Sequence, residues 1–150
     1  ESRSIMWISY GSGPFTAATP FYANVNDTPA YLRDTTPEVS TGNLYWTNRL
    51  IAALADAHFY ETSNAVAAFA ESARVFGHRL VERTDAALEQ ADRAQRSGQD
   101  AGESVIARLE AANTEMAEYL RKHATKLLND VLYTSSNLMH NGFAMSDRWN

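Results

Sequence analysis

Proline is confined to one end of this chain. Pro14, Pro20, Pro29 and Pro37 all fall within the first 37 residues, and the remaining 113 contain none. An interior proline removes a helix hydrogen bond and clashes with the preceding turn, so a long proline-free stretch is open to long helices. Other residues divide the same way. Ten of the sixteen aromatics lie in residues 1–60, whereas 21 of the 31 charged residues lie in residues 61–130. The front is aromatic, nearly uncharged and punctuated by turns. The rest is rich in alanine and charge, as solvent-facing helices are. The expected fold is mainly α, with a strand and turn segment over 1–40 and a helical region over 41–150, the two forming one structural unit.

In the front, Ile5-Met6-Trp7-Ile8-Ser9-Tyr10 reads as a short strand, apolar on both parities and therefore a candidate for burial on both faces. Gly11-Ser12-Gly13-Pro14 ends it in a turn. Phe15 to Val25 holds a second extended stretch that Pro20 is expected to break, and Asn26-Asp27-Thr28-Pro29 signals another turn. One or two strands do not make an independent sheet. They require further strands, from another chain or from a missing part of this one.

Three main helices follow. Ser40 or Thr41 is the expected cap of a helix over about 42–58, with Leu44, Ile51 and Leu54 on one face. A second helix is expected from Thr62–Asn64 to Ser97-Gly98, with a stripe of Val66, Phe69, Ala73, Phe76, Leu80, Ala87 and Ala91 that is weak at Arg83 and Thr84. Gly98 supplies the left-handed residue that stops it. A third is expected from Asp100, which with Glu103 fits a capping box, to a stop at Asn141-Gly142. Its apolar face is Val105, Leu109, Ala112, Met116, Leu120, Leu127 and Val131. The short connection makes the last two helices an antiparallel hairpin. Glu89–Arg93, Asp92–Arg96 and Glu118–Lys122 are the expected surface pairs.

Composition narrows the function. A net charge of −5 argues against nucleic acid as a partner. The apolar runs fall far short of the ~20 residues of a membrane helix, so no membrane partner is expected. The absence of cysteine removes thiolate metal sites and a cysteine nucleophile from this chain. The chain opens on Glu1 and reads as a piece of something longer.

Candidate chemistry is sparse. His58, His78, His123 and His140 show no zinc-helix spacing and read as surface or helix-end residues. Gly11-Ser12-Gly13 is half a phosphate fingerprint, but Pro14 removes a needed N–H, so it reads as a turn. Asp85 and Glu89 read as a solvated helix face. Asn26-Asp27-Thr28 matches the glycosylation pattern without a secretion signal to support it. Trp7, Tyr10, Phe15, Phe21, Tyr22, Tyr31, Tyr45 and Trp46 either line a pocket or, in the favoured reading, pack in a core or interface. No residue is assigned a catalytic, cofactor-binding or metal-binding role, and no cofactor is expected.

Several short motifs resemble one family in order and spacing. Trp7-Ile8-Ser9-Tyr10-Gly11, then Pro20-Phe21-Tyr22, resembles the late segment of the family C69 dipeptidases, bacterial N-terminal-nucleophile hydrolases. Thr16 stands where the family commonly has Ser. Asn43-Leu44-Tyr45-Trp46-Thr47-Asn48-Arg49-Leu50 is similar to the family's following helix, and Leu132-Tyr133-Thr134-Ser135-Ser136-Asn137 to its closing helical segment. The resemblance implies an αββα sandwich in the full-length parent, with this chain as its C-terminal region. It also implies a thiol hydrolase of dipeptides whose N-terminal cysteine is the nucleophile. This chain has no such cysteine, and alone it is expected to be inactive. The implied partners are the N-terminal catalytic part of the same parent, a dipeptide substrate for that parent and, through the helices, a homo-oligomer. The expected setting is cytoplasmic. The alternative is a non-catalytic helical interaction or oligomerisation module.

Overall fold

A computed structural model describes residues 3–140. It is mainly helical. Strands β1 (Ile5–Ile8) and β2 (Thr19–Tyr22) flank a single 3₁₀ turn over Gly13–Phe15 and are followed by four helices. These are α1 (Ala30–Arg33), α2 (Leu44–Ala57), α3 (Phe59–Arg96) and α4 (Val105–Asn137). Among the described residues no helix is long and apolar enough to cross a membrane.

The strands pair antiparallel, with Ile5 opposite Tyr22, Met6 opposite Phe21, Trp7 opposite Pro20 and Ile8 opposite Thr19. Pro20 does not break β2. The Ala23 N–H donates to the Ser4 carbonyl at 2.9 Å, which fixes the alternation of the ladder. Met6–Phe21 and Ile8–Thr19 are then the bonded pairs, and the backbone of Pro20 and Tyr22 points away from β1. A missing N–H at Pro20 costs the ladder nothing. Nor is β1 buried on both faces as its run of apolar residues suggested. Met6 and Trp7 are 51% and 43% exposed, while every residue of β2 is buried.

The helices follow the proline-free tract, with corrected ends. Asn43 caps α2, its Oδ1 accepting from the Trp46 N–H at 3.0 Å, so the cap is neither Ser40 nor Thr41. Only His58 interrupts the run into α3, with φ −135° and ψ 51°. Helix α3 therefore starts before Thr62, and Thr62 donates its hydroxyl to the His58 carbonyl at 2.8 Å. The 38 residues of α3 span about 57 Å. Gly98, at φ +72°, follows its C-terminus as expected.

Helix α4 starts at Val105, not Asp100. Ser104 caps it by accepting from the Ala107 N–H at 3.2 Å. Asp100 instead accepts from the Gly102 N–H at 2.8 Å, and Gly102 lies at φ +70°. The carboxylate thus closes a turn whose left-handed residue delays the helix. The expected stop at Asn141-Gly142 lies outside the described residues, and α4 itself ends at Asn137.

Helix α4 packs along both α3 and α2, and β2 lies against α3 and α4. Ile51, Ala55, Ala73, Met116 and Ala124 are fully buried at the seams. The α3 stripe drifts from the expected one. Thr62, Gly77, Thr84 and Leu88 are buried, whereas Ala87 and Ala91 are only half-buried. The expected α4 stripe is buried from Leu109 onward, but Val105 is exposed. Glu118 pairs with Arg121 rather than with Lys122.

Candidate functional site

The motif residues of the front converge on Asn48 of α2. Its Nδ2 donates to the Tyr10 carbonyl at 2.7 Å and to the Thr16 hydroxyl oxygen at 2.9 Å. Asn48 is 3% exposed, and its Oδ1 has no hydrogen-bond partner among the described residues. Gly11 beside it adopts φ +107°. A Cβ there would stand 3.6 Å from the Asn48 Cβ, so backbone conformation rather than lack of room requires glycine. One turn of α2 thus ties the end of β1 to the segment entering β2. On the same helix, the Arg49 guanidinium lies 5.5 Å and 5.4 Å from the Tyr45 and Trp46 rings and donates to the Tyr45 hydroxyl at 2.7 Å. The Trp46 Nε1 donates to the Thr36 carbonyl at 2.8 Å.

The hairpin is fastened to the long helices at three points. Asn113 of α4 makes both bonds of an amide clasp. The Tyr22 N–H donates to its Oδ1 at 2.8 Å, and its Nδ2 donates to the Tyr22 carbonyl at 2.9 Å. The Tyr22 hydroxyl donates to Asp85 of α3 at 3.3 Å, and Arg3 meets the same carboxylate at 3.3 Å. Burial, and next the Asp85 charge, push the Tyr22 phenol up to about 12. Pro20 seats on Gly77, where an added Cβ would fall 2.5 Å from the Pro20 Cδ. Asp85 is therefore a partner of the hairpin and not part of a solvated face.

Two clefts adjoin these anchors. One, about 750 Å³, lies between residues 23–26 and the facing ends of α3 and α4, with Arg3, Asn24, Asp92, Gln95 and Ile106 in its wall. Among the described residues its lining pairs the Asp92 carboxylate with no hydroxyl, thiol or imidazole. The other, about 430 Å³, is lined by Trp7, Thr16, Ala18, Glu71, Arg74 and His78. There Arg74 is held by Glu71 through bonds of 3.0 Å and 2.7 Å, and the His78 ring lies 4.6 Å from Trp7. No hydrogen bond joins Thr16 to His78, so the pair is not assembled as a nucleophile and its base.

The other predicted residues scatter. Tyr119 stacks between Phe76 and His123, with centroids 4.0 Å and 4.1 Å away. Burial, then Lys122 and Lys126, hold the His123 imidazole below its ordinary value. His58 is the helix break and His140 is exposed. The aromatic set does not share one pocket. Phe21, Tyr22 and Tyr31 join the core, Tyr10 and Phe15 pack against it, and Trp7 reaches the surface. Among the described residues no group of three or more His, Asp or Glu side chains is placed to hold a metal ion.

From the sequence alone, Asn48 has no role beyond its place in the Asn43–Leu50 motif, and Asn113 and Gly77 lie outside every motif. A polar or glycine residue on the apolar face of a helix is the signal that marks each of them. Asn113 sits one residue after Ala112 and three before Met116, at a core position of the stripe.

Known proteins align over nearly all of the chain. The model for Peptidase family C69 matches residues 1–72. A dipeptidase of Bifidobacterium longum (strain NCC 2705) is 42% identical over 175 aligned positions, covering 97% of this chain and 33% of that protein. A probable dipeptidase A of Streptococcus pyogenes serotype M18 is 40% identical over 147, covering 98% of this chain and 28% of that protein. The dipeptidase A of Lactobacillus helveticus is 26% identical, covering 93% and 27%. The chain spans about a third or less of the length of these relatives. The family match falls on the residues that build the hairpin and its α2 anchor, and the chain belongs to peptidase family C69.

Proposed function

We propose that this chain is the C-terminal structural region of a cysteine-nucleophile dipeptidase, and that the parent hydrolyses dipeptides. The observation that carries this reading is the alignment of nearly the whole chain with proteins named dipeptidase, of which it spans about a third. The order of the Trp7–Gly11, Pro20–Tyr22 and Asn43–Leu50 motifs supports it. The chain has no cysteine, so the thiol would come from the remainder of the parent. In that reaction the thiolate attacks the dipeptide carbonyl, the amine leaves, and water releases the acyl group. The role assigned to the present residues is architectural. Asn48, Asn113 and Tyr22 hold a strand pair on a helical base, and the catalytic part completes the site. An αββα parent and a cytoplasmic setting belong to the same proposal.

The test is dipeptide hydrolysis by the full-length protein and by the 150-residue chain. The expected result is turnover by the full-length protein, lost when its N-terminal cysteine is replaced by alanine, and no turnover by the chain alone. Hydrolysis by the 150-residue chain at a rate comparable to the parent would sink the proposal.

A further inference from the structure

The two outer edges of the strand pair are unlike. On the β2 side, Pro20 offers no N–H, and the Tyr22 N–H and C=O are both taken by Asn113. That edge is closed to another strand. On the β1 side, the alternation of the ladder turns the N–H and C=O of Ile5 and Trp7 outward. Among the described residues nothing hydrogen-bonds to them. The edge Ile5-Met6-Trp7-Ile8 carries no charge and no proline, and Met6 and Trp7 stand 51% and 43% exposed. Free edges are normally blunted by lysine, proline or a bulge, and none of these protects β1.

We propose that the outer edge of β1 is where the sheet continues, and that its occupant is an extended segment from the part of the parent polypeptide outside these 150 residues. The inference rests on the reading of the chain as a piece of a longer family member. Its first ground is length, since the Bifidobacterium longum and Streptococcus pyogenes relatives carry two thirds or more of their residues outside the aligned region. Its second is exposure, since β2 is wholly buried against α3 and α4 while Met6 and Trp7 of β1 are left exposed beside the open edge. Its third is the one-sided closure, which leaves a single direction of growth. The incoming strand bonds to the backbone of Ile5 and Trp7. Its side chains on the face of Trp7 extend the apolar surface that Trp7 and Pro20 form over Gly77.

The experiment uses the full-length protein. Hydrogen exchange with residue-level fragmentation is expected to show the Ile5 and Trp7 amides slowed about 100-fold or more relative to an unstructured peptide. Exchange of both at the unstructured rate, with the Met6 and Ile8 amides still protected, would overturn the proposal. A photo-crosslinking residue at Met6 identifies the occupant by mass spectrometry. A cross-link to a peptide outside the 150 residues supports the proposal. A cross-link to residues 141–150, or between copies in isotope-mixed samples, overturns it. Dipeptide hydrolysis measured on the same preparation separates the two claims. An active protein with unprotected amides loses the edge assignment alone, and an inactive protein with protected amides loses the catalytic reading alone.

Discussion

Tyr22 concentrates much of what holds the front of the chain in place. Its main chain is clasped by Asn113, and its hydroxyl reaches Asp85 and, through it, Arg3. Replacing Asn113 with alanine leaves a buried N–H and C=O to find water. An unpaired buried group costs about 1–3 kcal/mol, and Asn113→Ala is expected to lower stability by at least that much in urea titration. For Tyr22 the sign of the pH effect follows from its phenol, raised to about 12 by burial and Asp85. The folded state favours the neutral form, so the contribution is intact below the ordinary value of 10 and is lost as pH rises from 10 to 12. Tyr22→Phe is expected to flatten thermal stability over that interval relative to the parent. An unchanged slope would show that another group governs it. None of this was legible beforehand. Tyr22 and Asn113 lie 91 positions apart, and each taken alone reads as an ordinary strand aromatic and an ordinary helix amide.

At the scale of the element, extent was easier to read than termini. Long helices follow from the proline-free tract because nothing in it forbids the i to i−4 ladder. Their starts were misplaced because several capping residues compete within a few positions. Asn43 prevails over Ser40 and Thr41, and Asp100 is spent on a turn before Ser104 caps α4. The strand reading failed at Pro20 for a different reason, since whether a proline breaks a strand depends on which way its missing N–H would point. That direction is fixed by the partner strand. The packing of β2 on α3 yields a sharp expectation. A methyl at Gly77 would fall 2.5 Å from the Pro20 ring, so α3 and the hairpin must part. Gly77→Ala would favour an isolated helix by about 1 kcal/mol. It is nonetheless expected to destabilise the protein by about 1–3 kcal/mol through overpacking, as a lowered denaturation midpoint would show.

For the whole molecule, the front motifs that resemble C69 dipeptidases, over Trp7–Gly11 and Asn43–Leu50, meet in space at Asn48, and Tyr22 of the Pro20–Tyr22 motif is clasped by α4. They mark where the fold is fastened. A chemical centre was not legible because, among the described residues, neither cleft beside the hairpin anchors holds a hydroxyl hydrogen-bonded to a base. The closed β2 edge and the open β1 edge also set an arithmetic for self-association. A sheet with two free edges can add copies without end and grow into a fibre. A sheet with one free edge can be used once. Two copies of the 150-residue chain meeting β1 to β1 about a two-fold axis would exhaust both edges. At high concentration the isolated chain is therefore expected to stop at dimers, which sedimentation velocity would register as a boundary that grows no further.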